Sequence, residues 1–357
     1  MNRKSTDSLP LALDLPEPFT LVRAEVKGPS AYSIGGSDPR KSPVYDTYWK
    51  FAAERQAIFF RRAQGAPPPW TADPILANFK FTNAYRAADR VSQYLIKNVI
   101  YHGDNSPENV FLRVVLFKVF NSIDTWETLE DKFAEISVDS FDTREFSKVL
   151  LASRRSGKSI FSGAYIMPSG GRHASSKHKH DAWLALIERL LLDGVPDRLA
   201  STKRMADAFK LLRSYPMIGD FLAYQYAVDL NYSTLTNFSE NEFVVAGPGA
   251  RSGIEKCFPG QNELDPADVI RMMVDRQDDE FARLGIPFQN LWGRRLNLID
   301  CQNLFCEVDK YSRVAHPEIA GVGGRSRIKQ KFRPSGQVID YWFPPKWGIN
   351  SRVGATE

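Results

Sequence analysis

Glu240 and Glu242 are the residues of this chain whose type and setting best suit chemistry: they precede the apolar run Phe243 to Ala246 and the turn sequence Gly247-Pro248-Gly249-Ala250-Arg251. Breaking an N-glycosidic bond develops cationic sugar character, which a carboxylate stabilises while it positions or deprotonates water. The two glutamates are therefore the candidate catalytic pair. The backbone around Gly247 and Gly249, with Arg251 beside it, can approach a phosphate closely. A plainer reading of the same residues is two surface acids flanking a strand.

The stretch LLRSYPMIGDFLAYQYAVDL, Leu211 to Leu230, sets two apolar-patterned segments on either side of a tight Pro216-Met217-Ile218-Gly219 turn. Such a hairpin exposes unpaired backbone N–H groups at the start of its second helix, where the dipole also favours a phosphate. Met217, Ile218 and Gly219 are thus candidate DNA-backbone contacts, although any packed helix pair with a Pro-Gly corner looks similar. Basic residues gather toward the C-terminal part: Arg294, Arg295, Lys310, Arg313, Arg325, Arg327, Lys329, Lys331 and Arg333. That bias suggests a polyanionic partner, with Lys310, Arg325, Arg327 and Lys329 as further backbone contacts.

Two polar faces could surround a base or a sugar. In a helix over 83–97, Asn83, Arg86 and Arg90 share one side and Tyr85 and Asp89 another. In a helix over 298–314, Asn303, Glu307 and Lys310 share a face, with Gln302 adjacent. Asn83, Tyr85, Arg86, Gln302, Asn303 and Glu307 are therefore the pocket candidates; ordinary surface ion pairs would give the same pattern.

Other motifs carry less. Arg154-Arg155-Ser156-Gly157-Lys158-Ser159 ends like a phosphate-binding P-loop, but Ala152 stands where its first glycine belongs and the preceding residues read as helix. An exposed basic loop fits better. His173, His178 and His180 lack a carboxylate or cysteine at ligand spacing and have Lys177 and Lys179 between them, so no metal and no other cofactor is expected.

The elements that must position these residues are mostly helical. Apolar residues recur at helical spacing over 44–62, 83–97, 107–121, 142–153, 181–192 and the hairpin, then over 267–284 and 298–314. Asp265-Pro266 reads as an N-cap followed by a helix start, and Gly285 as the residue after a helix end. Strand-like runs are confined to 163–167, 243–246 and 336–343. The fold class expected is mainly α, with few short strands. Residues 1–41 read as a flexible arm, 42–345 as one helical DNA-processing domain with its hairpin near 203–230, and 346–357 as a tail. No charged-then-apolar leader and no apolar run near about 18 residues is present, which points to a cytoplasmic protein and away from a membrane. Cys257, Cys301 and Cys306 are too few for a disulfide framework and read as buried thiols.

The runs KFTNAYRAADRVSQYLI, IFSGAYIMP, SYPMIGDFLAYQYAVDLNYS, ENEFVVAGPGARSGIEKCF and CQNLFCEVDKYSRVAHPE together resemble the α-glutamyl/putrescinyl-thymine pyrophosphorylase family, also likened to the helical domain of hydroxymethyluracil DNA kinases. The resemblance covers most of 42–343. It implies an all-α, DNA-facing enzyme similar in fold to helix-hairpin-helix DNA glycosylases, some relatives of which act against phage on glucosylated hydroxymethylcytosine. In that superfamily a catalytic aspartate lies beyond the second hairpin helix, where this chain has Glu240 and Glu242. Met217 replaces a hairpin glycine, and Phe221 stands where bifunctional relatives carry a Schiff-base lysine. The expected activity is that of a monofunctional DNA glycosylase, which flips a hypermodified pyrimidine out of double-stranded DNA and leaves an abasic site. A base-hypermodifying transferase or pyrophosphorylase, and a non-catalytic DNA-binding module, are the alternatives.

Overall fold

A computed structural model describes residues 39–163, 167–168, 178–261, 263–334 and 339–354. Among them the chain forms thirteen α-helices and no strand, so the mainly α expectation holds. The arm proposed for residues 1–41 falls almost wholly outside the described residues, as do His173 and much of the 163–167 and 336–343 runs. Residues 243–246 are irregular rather than a strand.

Helix α1 (Pro43–Ala63) starts where the Ser42 hydroxyl accepts Val44 N–H and Pro43 pre-sets the first turn. Helix α2 (Pro74–Asn78) repeats this with Asp73 and Pro74. Helix α4 (Pro107–Phe120) is apolar nearly all round and is accordingly buried nearly all round. Helices α5 (Ile123–Phe133), α7 (Lys179–Leu192) and α8 (Val195–Ala200) pack against it, and α6 (Thr143–Arg155) packs on α5 and α7. Helices α9 (Met205–Arg213) and α10 (Asp220–Leu230) form the hairpin, and α10 is buried from Leu222 to Leu230.

The second half rests on a close pair, α11 (Pro248–Cys257) and α13 (Leu298–Ala315), with α12 (Pro266–Arg283) against both. Asp265 caps α12 through Ala267 N–H, and Gly285, just past its end, has φ +62°. A Cβ on Gly253 would lie 2.1 Å from the Phe305 carbonyl oxygen, so only glycine lets these two backbones meet.

The helix expected over 83–97 forms only in pieces. Arg86–Ala88 is a 3-10 turn, α3 (Arg90–Tyr94) follows, and Leu95–Ile100 is a π-helical segment. Local side chains outcompete the helix here. Asp89 accepts Asn83 N–H at 2.7 Å, the Asn83 amide donates to Ala88 O at 2.8 Å, and Arg86 N–H goes to Asp300 at 2.8 Å. At the end of the π segment the buried Arg113 donates to Val99 O and Ile100 O. The shared face proposed for Asn83, Arg86 and Arg90 therefore does not exist.

Candidate nucleic-acid interface

The hairpin turn is tight. Ile218 is 1% exposed and plugs it, while Met217 takes φ +67°, a left-handed conformation that glycine adopts without strain. Gly219 forms the N-cap of α10 with no side chain capping the first turn, and a Cβ there would meet nothing within 4 Å. The first turn of α10 thus lacks a side-chain cap, and the Cβ side of Gly219 is uncrowded. Arg213 and Asp220 pair across the hairpin mouth at 2.5 Å, so the acid beside the helix start is neutralised.

The two candidate catalytic glutamates diverge in setting. Glu242 is an exposed residue paired with Arg204 at 2.9 Å. Glu240 is more enclosed: it pairs with Arg294, whose guanidinium lies 3.8 Å from the Trp347 ring centroid. Lys346, next in chain to Trp347, donates to Ser233 O and Thr236 O. Residues after 345 thus pack at this point, and Ile349 is buried.

The proposed pocket residues are drawn mostly into the scaffold. Tyr85 donates to Arg294 O at 2.5 Å and accepts Leu291 N–H at 3.2 Å, and its amphipathic ring stacks on Phe288. Arg86, 3% exposed, reaches Asp229 at 2.6 Å, Gln225 at 3.0 Å and the Tyr232 hydroxyl at 3.1 Å. Glu307 accepts Thr82 N–H at 2.9 Å and pairs with Lys310 at 2.7 Å, and Lys310 also lies over the Phe81 ring. Asn303 is half-buried on α13. Gln302, by contrast, is 1% exposed with its Oε1 unpartnered.

The glycines of the Gly247-Pro248-Gly249 turn serve the chain's own packing. A Cβ on Gly247 would press on the Phe221 ring at 3.2 Å, and one on Gly249 on Cys306 Sγ at 3.0 Å. Arg251 is exposed and donates to Ala246 O at 3.3 Å. Residues 325–331, with Arg325, Arg327, Lys329 and Lys331 exposed, form no helix and no regular strand, with one isolated bridge between Lys331 and Phe79. Backbone bonds from Lys80 N to Gln330 O and from Phe332 N to Asn78 O pin them to the end of α2, and Arg313 donates to Arg327 O.

Sequence reasoning missed the buried ion cluster. Asp229, fully buried on α10, holds Arg86 on one oxygen and Lys118 of α4 at 3.3 Å on the other. Burial alone would raise its pKa, but the two cations hold it below the usual carboxylate range. Asp300 accepts Arg86 N–H and Asn297 N–H, yet burial pushes its carboxyl up to about 7. The available signal was Asp229, the one acid of α10 beyond its first turn, in an otherwise mostly apolar run, and the bases Arg113 and Lys118 in the apolar α4 run. The run 154–159 lies at the C-terminal end of α6, as an exposed basic loop, and His180 is buried in α7 beside Ser147 and Asp181. Among the described residues no cluster of His, Cys, Asp and Glu could hold a metal ion, and no helix is long and apolar enough to cross a membrane.

The model of the family "5-hmdU DNA kinase, helical domain" matches residues 42–321. A curated relative, the 5-hmdU DNA kinase of Bacillus phage SP10, is 26% identical over 286 residues, 75% of this chain and 45% of that protein. The chain thus spans less than half of the length of the relative it matches. No solved structure matches. These findings overturn the glycosylase expectation, because the relative is a kinase, a phosphoryl-transferring enzyme, and not a hydrolase of the glycosidic bond. They fall on the hydroxymethyluracil-kinase side of the resemblance and leave the pyrophosphorylase side without support. With 42–321 matched, the chain belongs to the family of 5-hmdU DNA kinase helical domains.

Proposed function

We propose that this helical domain binds double-stranded DNA and holds a 5-hydroxymethylated pyrimidine for phosphorylation of its hydroxymethyl group. The observation that carries the reading is the family match across 42–321. In the reaction the hydroxymethyl oxygen forms a bond to the terminal phosphorus of a nucleoside triphosphate, the bridging P–O bond breaks, the diphosphate leaves, and the hydroxyl proton passes to a base. The geometry supports the DNA-holding part. The open first turn of α10 at Gly219 suits a backbone phosphate, and the exposed basic ribbon over 325–331 suits several more. The P-loop-like run 154–159 does not suit the triphosphate, since it sits at the C-terminal, partially negative end of α6.

The test pairs binding with transfer. The chain is mixed with duplexes that differ only in one thymine or one 5-hydroxymethyluracil, with radiolabelled ATP present. Tighter binding of the hydroxymethylated duplex is expected, with label transferred to that duplex alone. Tighter binding without transfer would confine the chain to substrate recognition, and equal binding with no transfer would overturn the proposal.

A further inference from the structure

The N-terminal end of α11 meets an unsatisfied buried amide. Gln302 on α13 is 1% exposed; its Nε2 donates to Cys306 Sγ at 3.3 Å, and its Oε1 has no hydrogen-bond partner. A buried acceptor without a donor is unfavourable for a folded chain, so this oxygen has capacity for a donor from outside the chain, a water or a ligand. The same amide lies against Gly247, the N-cap of α11, with Nε2 3.6 Å from where a Cβ would stand. Gly247 has no capping side chain, which leaves the first-turn N–H groups of Gly249 and Ala250 as donors. Over the same point stands the ring of Phe221, 3.2 Å from that Cβ position and 37% exposed, so one part of it reaches solvent.

We propose that this is a base-edge slot: Gln302 reads a uracil-type pyrimidine at the N-terminal end of α11, and Phe221, displaced outward, gives the ring a face to stack on. The inference rests on the DNA-binding reading above. A uracil-type ring presents an N–H donor flanked by two carbonyl oxygens. Gln302 Oε1 accepts from the N–H, while Nε2 and the α11 first-turn N–H groups donate to the carbonyls. A cytosine-type ring carries a lone pair where the uracil ring carries that N–H, so it opposes Oε1. Once Phe221 has moved outward, the lack of a Cβ on Gly247 leaves the space its ring filled open to the base, and an aromatic stack tolerates a substituent at the ring edge.

The test uses Gln302→Met, which conserves volume and removes the orphaned acceptor, so folding is unharmed or improved. Wild type and variant are titrated by fluorescence anisotropy with duplexes carrying one 5-hydroxymethyluracil, one 5-hydroxymethylcytosine or one abasic site at the same position, and both proteins are melted in parallel. Wild type is expected to prefer the hydroxymethyluracil duplex over the other two by about tenfold or more. Q302M is expected to lose that preference while binding the abasic duplex as wild type does, with an equal or higher melting temperature. Phe221→Ala, at a partly exposed site, is expected to lower affinity for the hydroxymethyluracil duplex about fivefold or more without affecting the abasic duplex. Retention of wild-type preference by Q302M would overturn the slot and leave its amide bonded to a structural water only. If Q302M melts much lower than wild type, the amide is structural and F221A alone decides. Equal wild-type binding of all three duplexes would overturn base recognition in this slot and leave DNA binding standing. A wild-type chain that binds none of them would instead overturn the DNA-binding reading, and the slot with it.

Discussion

Gly253→Ala should be the most damaging single methyl addition to this chain. The added Cβ would lie 2.1 Å from the Phe305 carbonyl oxygen, 2.8 Å from its carbon and 3.1 Å from its Cα, all backbone atoms of α13 that no rotamer change can move. Ordinary contact starts near 3.4 Å, so α11 and α13 must part by more than an ångström at the contact. A gap of about 0.5–1 Å already forfeits a quarter to a half of each dispersion contact along the seam. The same seam carries Ser252 to Asp309 at 2.8 Å and Lys256 to Asp309 at 3.2 Å, both groups buried, and parting the helices stretches these too. Overpacking costs about 1–3 kcal/mol, and weakening a buried ion pair adds to it, so a total of about 3–5 kcal/mol is expected. Urea unfolding at fixed pH, with the slope of the transition unchanged, reads this as a fall in the midpoint. Gly219→Ala is the control: its Cβ meets nothing within 4 Å and its φ is −83°, so stability should change by less than about 1 kcal/mol. A G253A loss no larger than that of G219A would refute the close-packing argument.

The remaining predictions concern charge. Asp229→Asn leaves Arg86 and Lys118 buried together without their counter-ion and should cost about 3–5 kcal/mol in the same unfolding assay. Asp300 has a folded pKa of about 7, above its unfolded value, so the native state binds the extra proton between about pH 4 and pH 7. Its contribution is therefore fully present at low pH and lost as pH rises through about 7; the wild-type stability curve should fall relative to that of Asp300→Asn by up to about 1.4 kcal/mol per pH unit in that window. Replacing Arg325, Arg327 and Lys329 together by alanine should weaken binding to all duplexes alike and lower the salt dependence of log K by about 3, read from titrations at several salt concentrations; an unchanged slope would remove the ribbon from the interface.

Much of the helical frame was legible because its signals are local. Asp265-Pro266 announces α12 and Gly285 its end, and the periodic apolar residues of 107–121 give α4 to within a residue. The 83–97 segment was misread because its fate is decided by bonds that periodicity does not encode: Asp89 and Asn83 close a loop on each other, and Asp300, far along the chain, takes the Arg86 N–H. The strand expected at 243–246 has no partner strand to pair with among the described residues. At the site, Gln302 could be nominated from its polar neighbourhood on α13, but its orphaned oxygen emerges only once α11 is packed beside it. Asp229 was passed over because it sits in a run that reads as uniformly apolar. An acid deep within one such helix, Asp229, and a base deep within another, Lys118, are complementary, and that pairing is the readable trace of the buried cluster.

The cluster of Arg86, Lys118 and Asp229 also constrains how the chain can diverge. Its members come from a 3-10 turn, α4 and α10, separated by 143 residues at the widest. Loss of Asp229 strands two cations in the interior, and loss of either cation removes part of what holds its buried carboxylate charged, so no member can be replaced alone at small cost, and compensating changes must arrive nearly together. Across descendants of this chain the three positions should be inherited as a single character, kept intact or exchanged as a set for apolar residues of similar volume. The surface ribbon over 325–331, whose charges each meet solvent, can change one residue at a time without stranding a buried charge.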